Sequence, residues 1–266
     1  MKTIIAEKLK EIEAANDIKI VFACESGSRA WGFPSPDSDY DVRFVYIRNV
    51  NDYLSVKEVD GHLSFPITDE LDVYGWDLKK VLQLMNKSNT TIFEWLQSPE
   101  VYCEEKGFRE TLWQLSQGFF SERSNAFHYL GIAKSALLTM EESNEIKIKK
   151  LFYILRPLLA AKWCVEKETI APMTMGKLLT VLPDEAKVKT TILKLIKQKE
   201  TAKEADKVVV TEELSDFIKT TFEKTTEAVK SVGKNIFETE SLDAFFQTML
   251  KRYDNTGNKR KRTVTV

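Results

Sequence analysis

Residues 22–47 read FACESGSRAWGFPSPDSDYDVRFVYI. The opening of this stretch belongs to IKIVFAC at 18–24, a short run of β-branched and aromatic residues that predicts a strand. The middle, ESGSRAWGFPSPDSD, is so crowded with Gly, Ser and Pro that no long regular element fits it. YDVRFVYI at 40–47 returns to strand character. Side chains alternate across a strand, so Asp39, Asp41 and Arg43 fall on one face and Val42, Phe44 and Tyr46 on the other.

Three features of this stretch and its surroundings bear on chemistry. Gly27-Ser28 follows directly on a predicted strand; glycine admits left-handed backbone and close approach, and the Ser28 hydroxyl with neighbouring N–H groups suits phosphate oxygens. Asp39 and Asp41 share a face, and two like charges at that spacing repel unless a cation lies between them. Asp72, in the further candidate strand ELDVYGW at 70–76, completes an acidic cluster if that strand lies beside 40–47. Taken singly these are ordinary: a turn glycine, a solvated Asp-x-Asp, an acid at a strand end. The order strand, Gly-Ser, Asp-x-Asp on a strand and a third Asp on another strand is much rarer by chance. Carboxylate oxygens are the ligands magnesium prefers, and two such ions about 3.5–4 Å apart clamp a phosphoryl displacement. In that scheme Asp39, Asp41 and Asp72 are the catalytic and metal-holding residues. Asp39 and Asp41 bridge two Mg²⁺ ions, with Mn²⁺ as an alternative, and Asp72 holds the catalytic ion and assists deprotonation of the attacking hydroxyl.

Outward from this stretch, residues 2–16 place Ile4, Ile5, Leu9 and Ile12 near helical spacing. NDYLSV and HLSFPI, within 48–66, are weakly β-like. DLKKVLQLMNK and TTIFEWLQS read as helices, the second ending before Pro99. Beyond residue 100 the pattern becomes helical: 108–120, 122–141 and 145–166, then PMTMGKLLTVL, EAKVKTTILKLIKQKE, VTEELSDFIKTTFEKTTEAV and ESLDAFFQTML. Pro157 predicts a kink or break near Leu155 and Arg156, and Thr211 is placed to cap the helix that follows it. The fold class expected is therefore α+β. A small mixed-sheet domain spans 1–104, a mostly helical bundle 105–252 and a basic, flexible tail 253–266.

Composition excludes several classes. With 266 residues, 43% hydrophobic and 30% charged, the chain is an ordinary globular one, and a net charge of -1 gives no overall pull toward nucleic acid or anionic lipid. Three scattered cysteines and two histidines, His62 and His128, suit neither a disulfide scaffold nor a structural zinc site. The charged N-terminal segment is not a signal peptide, and no apolar run reaches membrane-spanning length, so a cytoplasmic protein with no membrane partner is expected. Oligomeric state is not legible.

The sequence resembles the polymerase-beta nucleotidyltransferase superfamily, and within it the RNA-repair-pathway polymerase-beta family, the RlaP type. The block at 22–47 carries the resemblance, supported by ELDVYGWDLKK, SNTTIFEWLQSP and KLFYILRPLLAAKW. The resemblance implies that the mixed-sheet domain is a nucleotidyltransferase domain. It further implies transfer of a nucleoside monophosphate from a nucleoside triphosphate, with Gly27 and Ser28 as the phosphate-binding pair and Asp39, Asp41 and Asp72 as the metal ligands. The acceptor it suggests is an RNA end or a tRNA-like molecule. A protein or small-molecule acceptor, or a non-catalytic nucleotide-binding regulator, are the competing readings. The intact acidic set weighs against the last.

Further candidates for binding the nucleotide are Arg29 and Arg43, each equally readable as a structural ion-pair partner, and Arg156. Arg156 belongs with Lys150 and Tyr153 to a three-residue spacing that lines one side of a helix. Glu25 is read as structural or solvent-facing. Trp31 and Phe33 are expected to anchor the loop in the core rather than stack on a base. Lys259 to Arg262 form a basic end whose simplest role is solubility.

Overall fold

A computed structural model describes residues 1–67, 70–138, 145–203 and 205–257, with side chains described as far as residue 254. The first elements are α1 (Lys2–Asn16), β1 (Lys19–Glu25), α2 (Gly27–Trp31), β2 (Tyr40–Ile47), α3 (Val50–Tyr53), β3 (His62–Ser64), β4 (Leu71–Asp77), α4 (Leu78–Asn86), α5 (Thr90–Gln97) and β5 (Val101–Glu104). The strands form one sheet in the order β3-β4-β2-β1-β5. β1 runs antiparallel to β2 and β5, β3 antiparallel to β4, and β2 parallel to β4. A parallel pair needs a crossover, and the connection that carries α3 and β3 provides it. NDYLSV, weakly β-like in sequence, is not a strand there: Val50–Tyr53 is a short helix, and only His62–Ser64 pairs.

Each face of the sheet has its own core. α1 lays Ile5, Leu9 and Ile12, at helical spacing, against Ile20, Val42, Phe44, Tyr46 and Val73. Gly75 keeps this layer thin: a Cβ there would lie 2.2 Å from the Phe44 ring. The other face packs Phe22, Cys24, Val45 and Ile47 against Val81 and Met85 of α4 and against Ile92 and Phe93 of α5. A bulge at Val21 makes this arrangement possible. Ile20 pairs with Tyr46 and Phe22 with Val45, so Val21 is the extra residue and everything beyond it changes face. The helices on this side start cleanly, with Asp77 accepting from the Lys79 N–H (2.8 Å) and Asn89 from that of Thr91 (3.0 Å).

The remaining elements are mostly helical: α6 (Phe108–Ser116), α7 (Glu122–Leu137), β6 (Glu145–Lys147), α8 (Ile148–Lys167), α9 (Met175–Leu178), α10 (Lys187–Lys199), β7 (Lys207–Val209), α11 (Glu212–Lys230) and α12 (Glu240–Gly257). The expected α+β class, a mixed sheet followed by a helical bundle, is what forms. Two expectations change. Residues 145–147 are not helical but pair antiparallel with β7, so α8 begins at Ile148. Pro157 does not break α8, which runs unbroken to Lys167. A proline inside a helix costs roughly 3 kcal/mol, and full burial of Ile154, Leu155, Leu158 and Leu159 around it outweighs that. Thr211 caps α11 as expected, accepting from the Leu214 N–H at 3.3 Å. α12 returns to the first half, where Leu242 and Met249 join the core that contains Phe22 and Phe108. The expected basic end, Lys259 to Arg262, lies outside the described residues. Among those described, no helix is long and apolar enough to cross a membrane.

Candidate active site

The parallel pairing of β2 with β4 sets Asp41 directly opposite Asp72. Neighbouring strands lie about 4.8 Å apart, so two carboxylates on one face of the sheet are held side by side. Arg43, next on that face, lies over both: its Nη2 donates to Asp41 Oδ1 at 3.1 Å and to Asp72 Oδ2 at 2.6 Å. Its Nη1 donates to the carbonyls of Val42 (3.1 Å) and Asp72 (3.0 Å).

Asp41 is also fixed through its backbone. Its N–H donates to Glu25 Oε1 (2.8 Å), and its carbonyl accepts from the Ser26 N–H (2.8 Å). Glu25 is 1% exposed and takes a second hydrogen bond from the Tyr102 hydroxyl, so it is a structural brace rather than a solvent-facing group. Burial raises the Glu25 carboxyl above its ordinary pKa, against the lowering effect of those donors. Asp41 is raised as well, first by burial, then by the like charges of Asp72 and Asp39, with Arg43 and Lys149 pulling it down. Gly27 closes the other side. Its φ is +62°, and a Cβ there would lie 2.0 Å from Asp41 Oδ2. Glycine is needed here twice over, for the backbone and for the space.

The loop beyond Gly27 is tied to the start of β2. Ser28 Oγ donates to Ser38 Oγ (3.0 Å), which also accepts from the Ser35 N–H (2.9 Å). Arg29 donates to the carbonyls of Ser38 (2.7 Å) and Asp39 (3.0 Å), and its guanidinium lies 3.8 Å from the Tyr40 ring centroid. Arg29 therefore holds the loop through carbonyls rather than carboxylates. Asp39 follows on the same strand approach, exposed, with its charge acting on Asp41.

The helical half grips this loop. Phe33 stacks on Phe152 at 4.7 Å, and its carbonyl accepts from the buried Lys199 Nζ at 2.9 Å. Trp31 packs edge-on against Tyr153 (5.7 Å) and lies under the Arg156 guanidinium (4.3 Å). Both aromatics anchor the loop, as expected. Arg156 itself is buried. It pairs with Glu94 (2.9 Å) and donates to the Met173 carbonyl (3.0 and 3.2 Å). Lys150 is exposed, and the lysine whose charge reaches Asp41 is its neighbour Lys149. Lys149 stands four residues before Tyr153, which also feels Asp41 and Asp39. A four-residue spacing marks a shared helix face as well as a three-residue one does, so this was the available signal.

Three aspartates offer the hard oxygen donors that magnesium takes, and the missing Cβ of Gly27 lets the Asp41 carboxylate lie close against the loop backbone. The donor set fits the metal. Among the described residues, however, no group of three or more His, Cys, Asp or Glu side chains is gathered as a finished metal cage. Arg43 lies between two of the three carboxylates, and Asp39 is exposed.

Comparison with known proteins makes the protein an enzyme of the nucleotidyltransferase class. The chain belongs to the RlaP family, the RNA repair pathway DNA polymerase beta family, whose model matches residues 1–248. It is 40% identical over 232 residues to the uncharacterized protein YcgL of Bacillus subtilis (strain 168), covering 87% of this chain and 89% of that one. Among solved structures, a nucleotidyltransferase-like protein from Exiguobacterium sibiricum 255-15 aligns over 98% of this chain and 97% of its own. That alignment has 10% identity and a TM-score of 0.30.

Proposed function

We propose that this protein transfers a nucleoside monophosphate from a nucleoside triphosphate to a hydroxyl acceptor at the Asp41–Asp72 site, and that the acceptor is an RNA end. The observation that carries the reading is the in-register pair Asp41 and Asp72, beside a glycine whose Cβ would collide with Asp41. In this reading residues 1–104 carry the chemistry, and 105–252 hold the loop that shapes it. Gly27 and Ser28 present backbone N–H groups to the phosphates, the Ser28 hydroxyl joins them by exchanging its bond to Ser38, and Arg29 keeps that loop folded against Asp39. Arg43 and Lys149 supply positive charge beside the acids. Arg156 acts indirectly, by fixing Trp31.

Asp39, Asp41 and Asp72 are the residues that would hold magnesium. When bound, magnesium neutralises phosphate charge and lowers the pKa of the attacking hydroxyl. The acceptor oxygen forms a bond to the α-phosphorus, the bond from that phosphorus to its bridging oxygen breaks, and pyrophosphate leaves. The hydroxyl proton passes to the Asp72 carboxylate. Positioning and charge account for most of the catalysis, as in phosphoryl transfer generally. The RNA acceptor is supported by the family's description and by nothing in the net charge. The test is incubation with each α-labelled triphosphate, Mg²⁺ and RNA bearing a free 3′ hydroxyl. Label in the RNA with release of pyrophosphate is the expected result. Label appearing only in protein or small molecules would contradict the acceptor, and no transfer from any of the four triphosphates would contradict the activity.

A further inference from the structure

Arg43 stands where a cation must stand if Asp41 and Asp72 are to bind it together. Its two terminal nitrogens have separate duties. Nη1 is held by the carbonyls of Val42 and Asp72, while Nη2 alone reaches the two carboxylates. The carboxylates are placed side by side by strand register, which no local adjustment can undo. Without a positive charge between them they would repel, and a guanidinium, always charged, is the group that prevents this.

A divalent ion on the same oxygens would sit at about 2.0–2.1 Å for magnesium. Nη2 already lies at 2.6 Å from one of those oxygens and 3.1 Å from the other. The two cations cannot share them: the space is taken and their charges repel. The Nη1 bonds do not involve a carboxylate, so they can persist when Nη2 is displaced.

We propose that Arg43 is a built-in stand-in for the metal. It pairs Asp41 with Asp72 in the metal-free chain and yields its Nη2 contacts when a divalent cation binds, so that metal affinity in the absence of nucleotide is held down. The inference rests on the reading that these aspartates hold the metal. In consequence the site stays assembled while empty, and the charge of an arriving triphosphate helps to bring the metal in.

The test is Mn²⁺ binding without nucleotide, followed by the electron paramagnetic resonance of the free ion, together with melting temperatures with and without Mn²⁺. Arg43→Gln is expected to bind Mn²⁺ at least about tenfold more tightly, because a positive charge has been removed from contact distance. It is also expected to melt lower without metal and to gain more from Mn²⁺ than the natural chain does. Arg43→Lys, which keeps the charge, should return the affinity toward the natural value. Equal or weaker Mn²⁺ binding by Arg43→Gln would overturn the proposal. If Asp41→Asn and Asp72→Asn bind Mn²⁺ as the natural chain does, the metal reading itself falls, and the inference with it. Should Arg43→Gln fail to fold, the guanidinium N–H signals of Arg43 in the natural chain provide a second measurement by nuclear magnetic resonance under Mg²⁺ titration. A shift with faster exchange supports the proposal, and signals that ignore Mg²⁺ at concentrations that fill the site overturn it.

Discussion

Asp41 and Asp72 stand opposite each other on parallel strands, and a single nitrogen of Arg43 touches both. This relationship depends on register. Sliding β4 by one residue would put the apolar Leu71 or Val73 across from Asp41 and turn Asp72 toward the α1 core. The site is thus a consequence of how the sheet pairs, and its parts respond differently to substitution.

Gly27→Ala should affect stability and chemistry together. A left-handed backbone at a non-glycine residue costs about 1–2 kcal/mol, and the new Cβ would displace the Asp41 carboxylate from 2.0 Å. Activity is expected to fall by on the order of 100-fold, as for an ångström-scale misplacement. Gly32→Ala is the control, since φ there is +87° but nothing lies within 4 Å of the added carbon. It should lose similar stability and retain activity. Equal loss of activity in both would contradict the account of Gly27.

Arg156→Met removes one side of a buried ion pair and leaves the Glu94 charge with the Tyr129 hydroxyl as its remaining donor (2.8 Å). The expected cost is about 3–5 kcal/mol, with part recovered in the double variant carrying Glu94→Gln. Urea denaturation of the two single variants and the double variant measures this. A neutral Arg156→Met would mean that the arginine does not hold the loop.

Much of this architecture was legible in the sequence because it depends on near neighbours. β2 alternates from Asp41 to Phe44, so the shared face of Asp41 and Arg43 follows from period, although from Phe44 onward both faces are buried. Gly-Ser followed by Asp-x-Asp marks the loop, and Trp31 and Phe33 announce its anchor. What was not legible depends on distant partners. The Val21 bulge exists only in relation to β2, and the strand at 145–147 only in relation to 207–209. The choice between Lys149 and Lys150 requires knowing how α8 docks. Pro157 invited a break that burial suppresses, and this kept Arg156 inside the core. Arg43 bridging both carboxylates needs the β2–β4 register, which period cannot supply.

The buried acids give the metal-free protein a pH dependence. Asp41, Glu25 and Asp77 are all raised, in each case chiefly by burial. A carboxyl whose folded pKa exceeds its unfolded value binds its proton more tightly in the folded chain. Its charged form therefore costs stability above the raised pKa, and that cost is relieved as pH falls through it toward the ordinary value. Melting temperature without metal should rise as pH is lowered from neutral into that window, and Asp41→Asn should flatten the rise. A melting temperature that falls steadily over the same range would contradict this.

The most direct measurement is Mg²⁺-dependent release of pyrophosphate from a nucleoside triphosphate by the natural chain and by Asp41→Asn, Asp72→Asn and the double variant, all checked for folding by circular dichroism. If the two residues act as one centre, each single variant should lose activity by on the order of 1,000-fold or more, and the double variant should be little worse than either. Natural-level release by either single variant, with its fold intact, would contradict the assignment of Asp41 and Asp72 as a shared catalytic pair.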